Sequence, residues 1–203
     1  MKNKQAETKL NPTLGLARHL FGSVLCLGAF ILSCSSASAQ LPRAIVTDFN
    51  GDGKPDFLLY NVSTRQTAMW YLNNNVHIGS ALGPTLPVGW ELAGVADFNR
   101  DGHPDYALFN ASTGRTAIWY LAGVTRIAAA YGPTIPGVWV WELVATADFN
   151  GDGKPDYLLY KGTTGQTAIW YLSNNVHIAS AAGPTVPAGG WSLAEVCGGC
   201  WDY

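Results

Sequence analysis

The sequence predicts an all-β fold built from three copies of one unit, and three observations carry that expectation. Landmark residues recur at intervals of 49 and then 51 residues. Each copy divides into short apolar runs bounded by turn residues, the pattern of strands. No stretch beyond the first 39 residues shows a helical period.

The repeat is read from several markers at once, and repeats of this length decide architecture. Asp48-Phe49-Asn50, Asp97-Phe98-Asn99 and Asp148-Phe149-Asn150 keep the two intervals, as do Trp70, Trp119 and Trp170 and the Gly-Pro-Thr triplets at Gly83, Gly132 and Gly183. The two extra residues of the second interval fall between Pro136 and Trp141 and lengthen one loop. The repeats are expected at about 44–90, 91–141 and 142–190 within a domain spanning 40–203. Each should hold four strands. In order they are Ala44–Thr47, Phe57–Tyr60, Thr67–Leu72 and Val76–Ser80, with counterparts at Glu91–Ala96, Tyr106–Phe109, Thr116–Leu121 and Val124–Ala129, and at Glu142–Ala147, Tyr157–Tyr160, Thr167–Leu172 and Val176–Ser180.

The third strand shows how the copies pack. In Ala168-Ile169-Trp170-Tyr171-Leu172 alternate side chains face opposite sides, and both sides are apolar. A sheet covered on both faces, with no helices to cover it, must stack on other sheets. Four short strands per repeat, stacked in this way, describe a blade of a β-propeller. Three such blades make a partial, open propeller. Trp191 begins a fourth copy of the phrase, but Gly198 stands where its first Asp belongs, so residues 191–203 read as the cut-off start of a fourth blade.

The first 39 residues read as a secretory signal: a basic start (Lys2, Lys4, Lys9, Arg18), the apolar run Leu20–Leu32, and Ala37-Ser38-Ala39. Cleavage before Gln40 would deliver the chain to the cell exterior or surface with no remaining membrane span. A lipid on Cys34, after the weak lipobox Ile31-Leu32-Ser33-Cys34, is the alternative. From Gln40 onward there are 8 Lys+Arg against 13 Asp+Glu, and nine of those acids sit in the three loops opened by the Asp-Phe-Asn triplets. Without a basic patch, nucleic acid is excluded as a partner. Cys197 and Cys200 suit a local disulfide better than a redox or zinc site.

The acidic loops carry the chemistry. Asp48, Asn50, Asp52 and Asp56 occupy positions 1, 3, 5 and 9, with Gly53 at position 6. The set recurs as Asp97, Asn99, Asp101 and Asp105 with Gly102, and as Asp148, Asn150, Asp152 and Asp156 with Gly153. Calcium takes six to eight hard oxygen ligands, and these side chains, the position-7 carbonyls of Lys54, His103 and Lys154, and water would supply them. Each loop would then fall from a formal charge of −3 to −1, which relieves the repulsion among its carboxylates. About three ions per chain are expected. The competing reading is a plain turn, which Asp, Asn and Gly favour in any case. A true EF-hand is excluded: Leu59, Leu108 and Leu159 stand at position 12 and no helices flank the loop.

This D-x-N-x-D-G-x-x-D pattern followed by an apolar strand resembles the FG-GAP or VCBS-type repeat of integrin α-subunit propellers and secreted bacterial proteins. The resemblance covers roughly 44–196. It implies one blade per repeat, with calcium held between the first two strands, and no single activity. The expected role is a binding or adhesion-type module for a protein or glycan ligand, without catalysis. A carbohydrate-binding lectin and an accessory fragment of a degradative enzyme are the alternatives. For a lectin, Trp90, Trp139, Trp141 and Trp191 lie nearest the loops, whereas Trp70, Trp119 and Trp170 read as packing between blades. His77 and His177 match Arg126 in the middle copy, which argues against a shared ligand role. Three blades would leave two open apolar faces, so a homodimer closing a six-bladed ring is expected.

Overall fold

The computed structural model describes residues 45–137, 140–191 and 193. Among them are twelve strands and no helix, arranged as three four-stranded antiparallel meanders. The first blade holds β1 (Ile45–Thr47), β2 (Asp56–Asn61), β3 (Gln66–Asn73) and β4 (Val76–Thr85). The second holds β5 (Glu91–Ala96), β6 (Asp105–Asn110), β7 (Arg115–Ala122) and β8 (Thr125–Tyr131). The third holds β9 (Glu142–Ala147), β10 (Asp156–Lys161), β11 (Gln166–Ser173) and β12 (Val176–Ala182). All twelve strands lie where the sequence places them. The fourth strand of each blade runs longer than expected, to Thr85, Tyr131 and Ala182. The signal segment, Cys34, Trp139 and the Cys197–Cys200 pair lie outside the described residues, as does most of 191–203.

Local chemistry sets the turns. The third and fourth strands join through two-residue hairpins, with Asn73 paired to Val76, Ala122 to Thr125 and Ser173 to Val176. Their first turn residues, Asn74, Gly123 and Asn174, sit at φ of 56°, 59° and 56°, a region that Asn and Gly tolerate best. A register shift follows Tyr71, Tyr120 and Tyr171, at the same place in every blade.

The blades stand side by side, and the middle first strand β5 touches both β1 and β9. Two apolar clusters fill the seams. Leu58 and Met69 of the first blade pack with Tyr106, Leu108 and Trp119 of the second. Ala107, Phe109 and Ile118 pack with Tyr157, Leu159 and Leu172 of the third. The alternation expected in β11 holds: Ala168, Trp170 and Leu172 face the second blade, and Ile169 and Tyr171 face the other way. The fourth strands are mostly exposed, which explains their weak sequence signal.

Each seam is a plug in a socket. Thr67, Thr116 and Thr167 donate their hydroxyls to the carbonyls of Pro84, Pro133 and Pro184 at 2.8, 2.7 and 2.6 Å. A Cβ on Gly83, Gly132 or Gly183 would strike those same hydroxyls, which accounts for glycine in all three Gly-Pro-Thr triplets. Into the first socket comes Tyr106, whose hydroxyl donates to Thr67 Oγ1 at 3.2 Å. Tyr157 fills the second, its buried hydroxyl turned toward Thr116. Burial pushes both phenols well above their ordinary range.

Gly132→Ala would drive a methyl into Thr116 Oγ1 and within 3.1 Å of the Tyr157 hydroxyl. It should destabilise the protein by about 1–3 kcal/mol. Gly79→Ala, whose methyl meets only Tyr71 Cδ2 at 3.6 Å, serves as the control in urea denaturation. Equal midpoints for the two variants would show that the seam is not tightly packed.

Candidate metal centre

Each acidic loop joins the first strand of a blade to the second and is held by its own side chains. In the first loop Asp48 Oδ1 accepts the N–H groups of Gly51 (2.7 Å) and Asp52 (3.2 Å), and Oδ2 accepts that of Gly53 (2.7 Å). Asn50 Oδ1 shares the Asp52 N–H at 2.9 Å, and Asp52 Oδ1 accepts Lys54 N–H at 2.9 Å. The third loop repeats this set around Asp148, Asn150 and Asp152, with every distance within 0.1 Å of its counterpart. In the second, Asp97 accepts from Asp101 and Gly102, Asn99 from Asp101, and Asp101 from His103.

The backbone path requires positive φ at positions 4 and 6. Glycine supplies it at Gly51, Gly53, Gly102, Gly151 and Gly153, but Arg100 takes position 4 of the second loop at φ 63°. That conformation costs a non-glycine residue about 1–2 kcal/mol. The Arg100 side chain makes new bonds in return: Nε donates to the Gly153 carbonyl at 3.0 Å and Nη2 to that of Asp152 at 2.8 Å. It ties the second loop to the third.

Position 9 behaves differently. Asp56, Asp105 and Asp156 are fully buried. In each, one carboxylate oxygen accepts a loop N–H, from Phe49 (3.0 Å), Phe98 (3.0 Å) or Phe149 (3.1 Å). The other accepts the N–H of Leu72, Leu121 or Leu172, at 2.9 Å in all three. Those leucines lie two residues past the last pairing of the third strand with the second. The carboxylate thus takes a donor that the ladder leaves over. Burial raises the Asp105 carboxyl to about 6 despite hydrogen bonds from Leu121, Phe98 and Asn99, and it raises Asp156 in the same direction.

The expected ligands therefore fall into two groups. Positions 1, 3 and 5 wrap one turn at the surface, with the oxygens of positions 1 and 3 meeting at a single N–H. Position 9 is turned into the blade, and no three acidic, His or Cys side chains gather round one point among the described residues. The donor set still fits a hard cation. A carboxylate offers about four acceptor sites, and the Asp56 bonds to Phe49 and Leu72 account for two. At position 7 the Lys54 ammonium donates to Asn73 Oδ1 at 2.8 Å, while Lys154 lies 3.8 Å from Asp152 in a weak exposed ion pair.

Family models give an independent reading. The FG-GAP-like repeat model matches residues 48–108 and again 97–159, together more than half of the 203-residue chain. The chain belongs to the FG-GAP-like repeat family. Each FG-GAP-like match opens on the first Asp of an acidic loop and ends in the second strand of the following blade. No curated protein matches the chain.

Two features of the FG-GAP-like blades escaped sequence reasoning besides the buried acid and Arg100. His77 lies against Trp70 with ring centroids 4.9 Å apart, and His177 against Trp170 at 4.6 Å. Arg126 sits 4.2 Å from the Trp119 ring centre. The His-to-Arg difference thus preserves one task, covering an indole face, which an imidazole or a guanidinium can perform. Of the loop tryptophans, Trp90 and Trp141 pack against the apolar clusters, whereas Trp191 is 73% exposed.

Asp105→Asn should separate the duty of the buried position-9 carboxylate from that of the surface donors. The amide keeps one acceptor but turns an NH2 toward a second N–H, leaving buried donors unpaired. A loss of about 1–3 kcal/mol is expected in denaturation with a chelator present. No loss would show that the loop holds without the carboxylate.

Proposed function

We propose that this FG-GAP-like repeat protein is an exported interaction module whose acidic loops bind calcium, about one ion per blade. The single observation in support is the threefold cradle, in which oxygens at positions 1 and 3 meet at the N–H of position 5 in all three loops. An isolated turn needs no such repetition. In the first loop Asp48, Asn50, Asp52, Asp56 and the Lys54 carbonyl would hold the ion, and the corresponding residues would do so in the other two. Calcium would supply positive charge beside carboxylates that burial and mutual repulsion disfavour.

The protein's own contribution is to form the loop in advance. Glycines at positive φ and the N–H bonds to Asp48, Asp97 and Asp148 set the donors, so little ordering is left for the binding step. The blades then present a stiff edge to a protein or glycan partner outside the cell. Nine of the chain's 14 acidic residues belong to these loops, and we read the chain as a binder rather than a catalyst.

Isothermal titration after chelation should give close to three calcium ions per chain. Asp52→Ala, Asp101→Ala and Asp152→Ala should each remove about one. Absence of any binding heat would return the loops to simple turns. Calcium at a hundredfold excess over Kd should add about 2.7 kcal/mol per site, so melting temperatures with and without EDTA should differ by many degrees. Equal melts would sever calcium from stability.

A further inference from the structure

The two outward faces of the three-blade array repeat the two halves of its internal seams. Phe57 occupies the place of the plugs Tyr106 and Tyr157, yet it is 46% exposed whereas they are fully buried. Trp70 is 43% exposed and its counterpart Trp119 only 6%. At the opposite end the third socket is fully formed: Thr167 donates to Pro184, and Gly183 leaves the space above the hydroxyl clear. Thr167 keeps 5% of its surface exposed where Thr67 and Thr116 keep none. We propose that the first blade of a second copy docks on the third blade, Phe57 into the Thr167 socket, head to tail.

The hairpin asparagines argue for a second copy over any other occupant. At the seam between the second and third blades the Tyr120 hydroxyl donates to Asn174 Oδ1, and Asn175 Nδ2 donates to the Tyr131 carbonyl at 3.0 Å. The middle blade lacks both asparagines; Gly123 and Val124 stand there, facing the first blade. The first blade has them again, as Asn74 and Asn75, although no described blade precedes it. Docked on the third blade of another copy, Asn74 would meet Tyr171 and Asn75 would reach the Ala182 carbonyl. Those are the repeat counterparts of Tyr120 and Tyr131. The outward edge of the first blade thus carries seam chemistry that the third blade's outward face completes.

Such a contact joins two different surfaces, so it forms a ring where the rotation closes. Two copies give six blades, inside the range of about four to eight found in closed propellers. Calcium plays no part in the contact, and its test stands apart from the metal titration.

Sedimentation equilibrium of the purified protein, in calcium and in chelator, should give the mass of two copies at micromolar concentration. Phe57→Glu should yield single copies with an unchanged circular dichroism spectrum, because Phe57 is exposed within one chain. Phe57→Tyr should restore the hydroxyl seen in Tyr106 and tighten association about fivefold, and Asn74→Ala should weaken it by a similar factor. A single-copy mass for the parent would overturn the proposal and mean that other parts of the chain cover both faces. So would a mass that climbs without limit, or a Phe57→Glu variant that still pairs.

Discussion

Taking a carboxylate out of water without a counter-ion is costly, and each blade does so at the first residue of its second strand. Asp56, Asp105 and Asp156 instead accept backbone N–H groups at both oxygens. One group comes from the acidic loop and the other from the overhang of the third strand. The buried acid therefore fixes the loop to the sheet, and the geometry of positions 1 to 6 hangs from it. At Asp105 the N–H bonds do not fully compensate for burial, and the carboxyl holds its proton up to about 6. Positive charge nearby would offset the remainder, which gives the calcium reading a physical motive beyond counting donors.

That arrangement divides labour within the loop. Surface positions 1, 3 and 5 are held by turn bonds to the chain's own backbone. A cation would bring Coulomb energy to a turn already made. The Asp48 and Asp148 carboxylates each accept three backbone N–H bonds. The same N–H groups that hold those carboxylates in place would also compete with a metal for their lone pairs and temper its affinity.

The repeat, the twelve strands and the two-sided third strand were legible in the sequence because each leaves a periodic mark: the 49- and 51-residue spacing, the apolar runs, and the alternation around Trp170. The acidic pattern was legible as a set but ambiguous in its parts. An Asp at position 9 is required equally by a metal cage and by a strand overhang, and only the placement of Leu72, Leu121 and Leu172 reveals the second duty. A hint lay in Asp56-Phe57-Leu58-Leu59, where an acid opens an apolar strand. Arg100 reaches carbonyls more than fifty residues away, and spacing within one repeat cannot show that. The histidine-to-arginine exchange breaks the pattern in residue identity, whereas the shared element is a flat or charged group over an indole.

Apolar contact fills the seams but does not orient them, since burial is non-directional. Orientation between blades comes from the few polar bridges, and these are unequal. Tyr106–Thr67 crosses the first seam; Tyr120–Asn174, Asn175–Tyr131, Thr146–Val95 and Arg100 to the third loop cross the second. The second seam is thus pinned at its loop edge and at its outer hairpin, while the first is fixed chiefly near its socket. Because successive rotations accumulate around an array, the angle set at each seam decides whether the two outward faces can meet. A chain whose first blade carries Asn74 and Asn75, and whose third carries Tyr171, has the means to set one more such angle by the same bonds that fix the second seam.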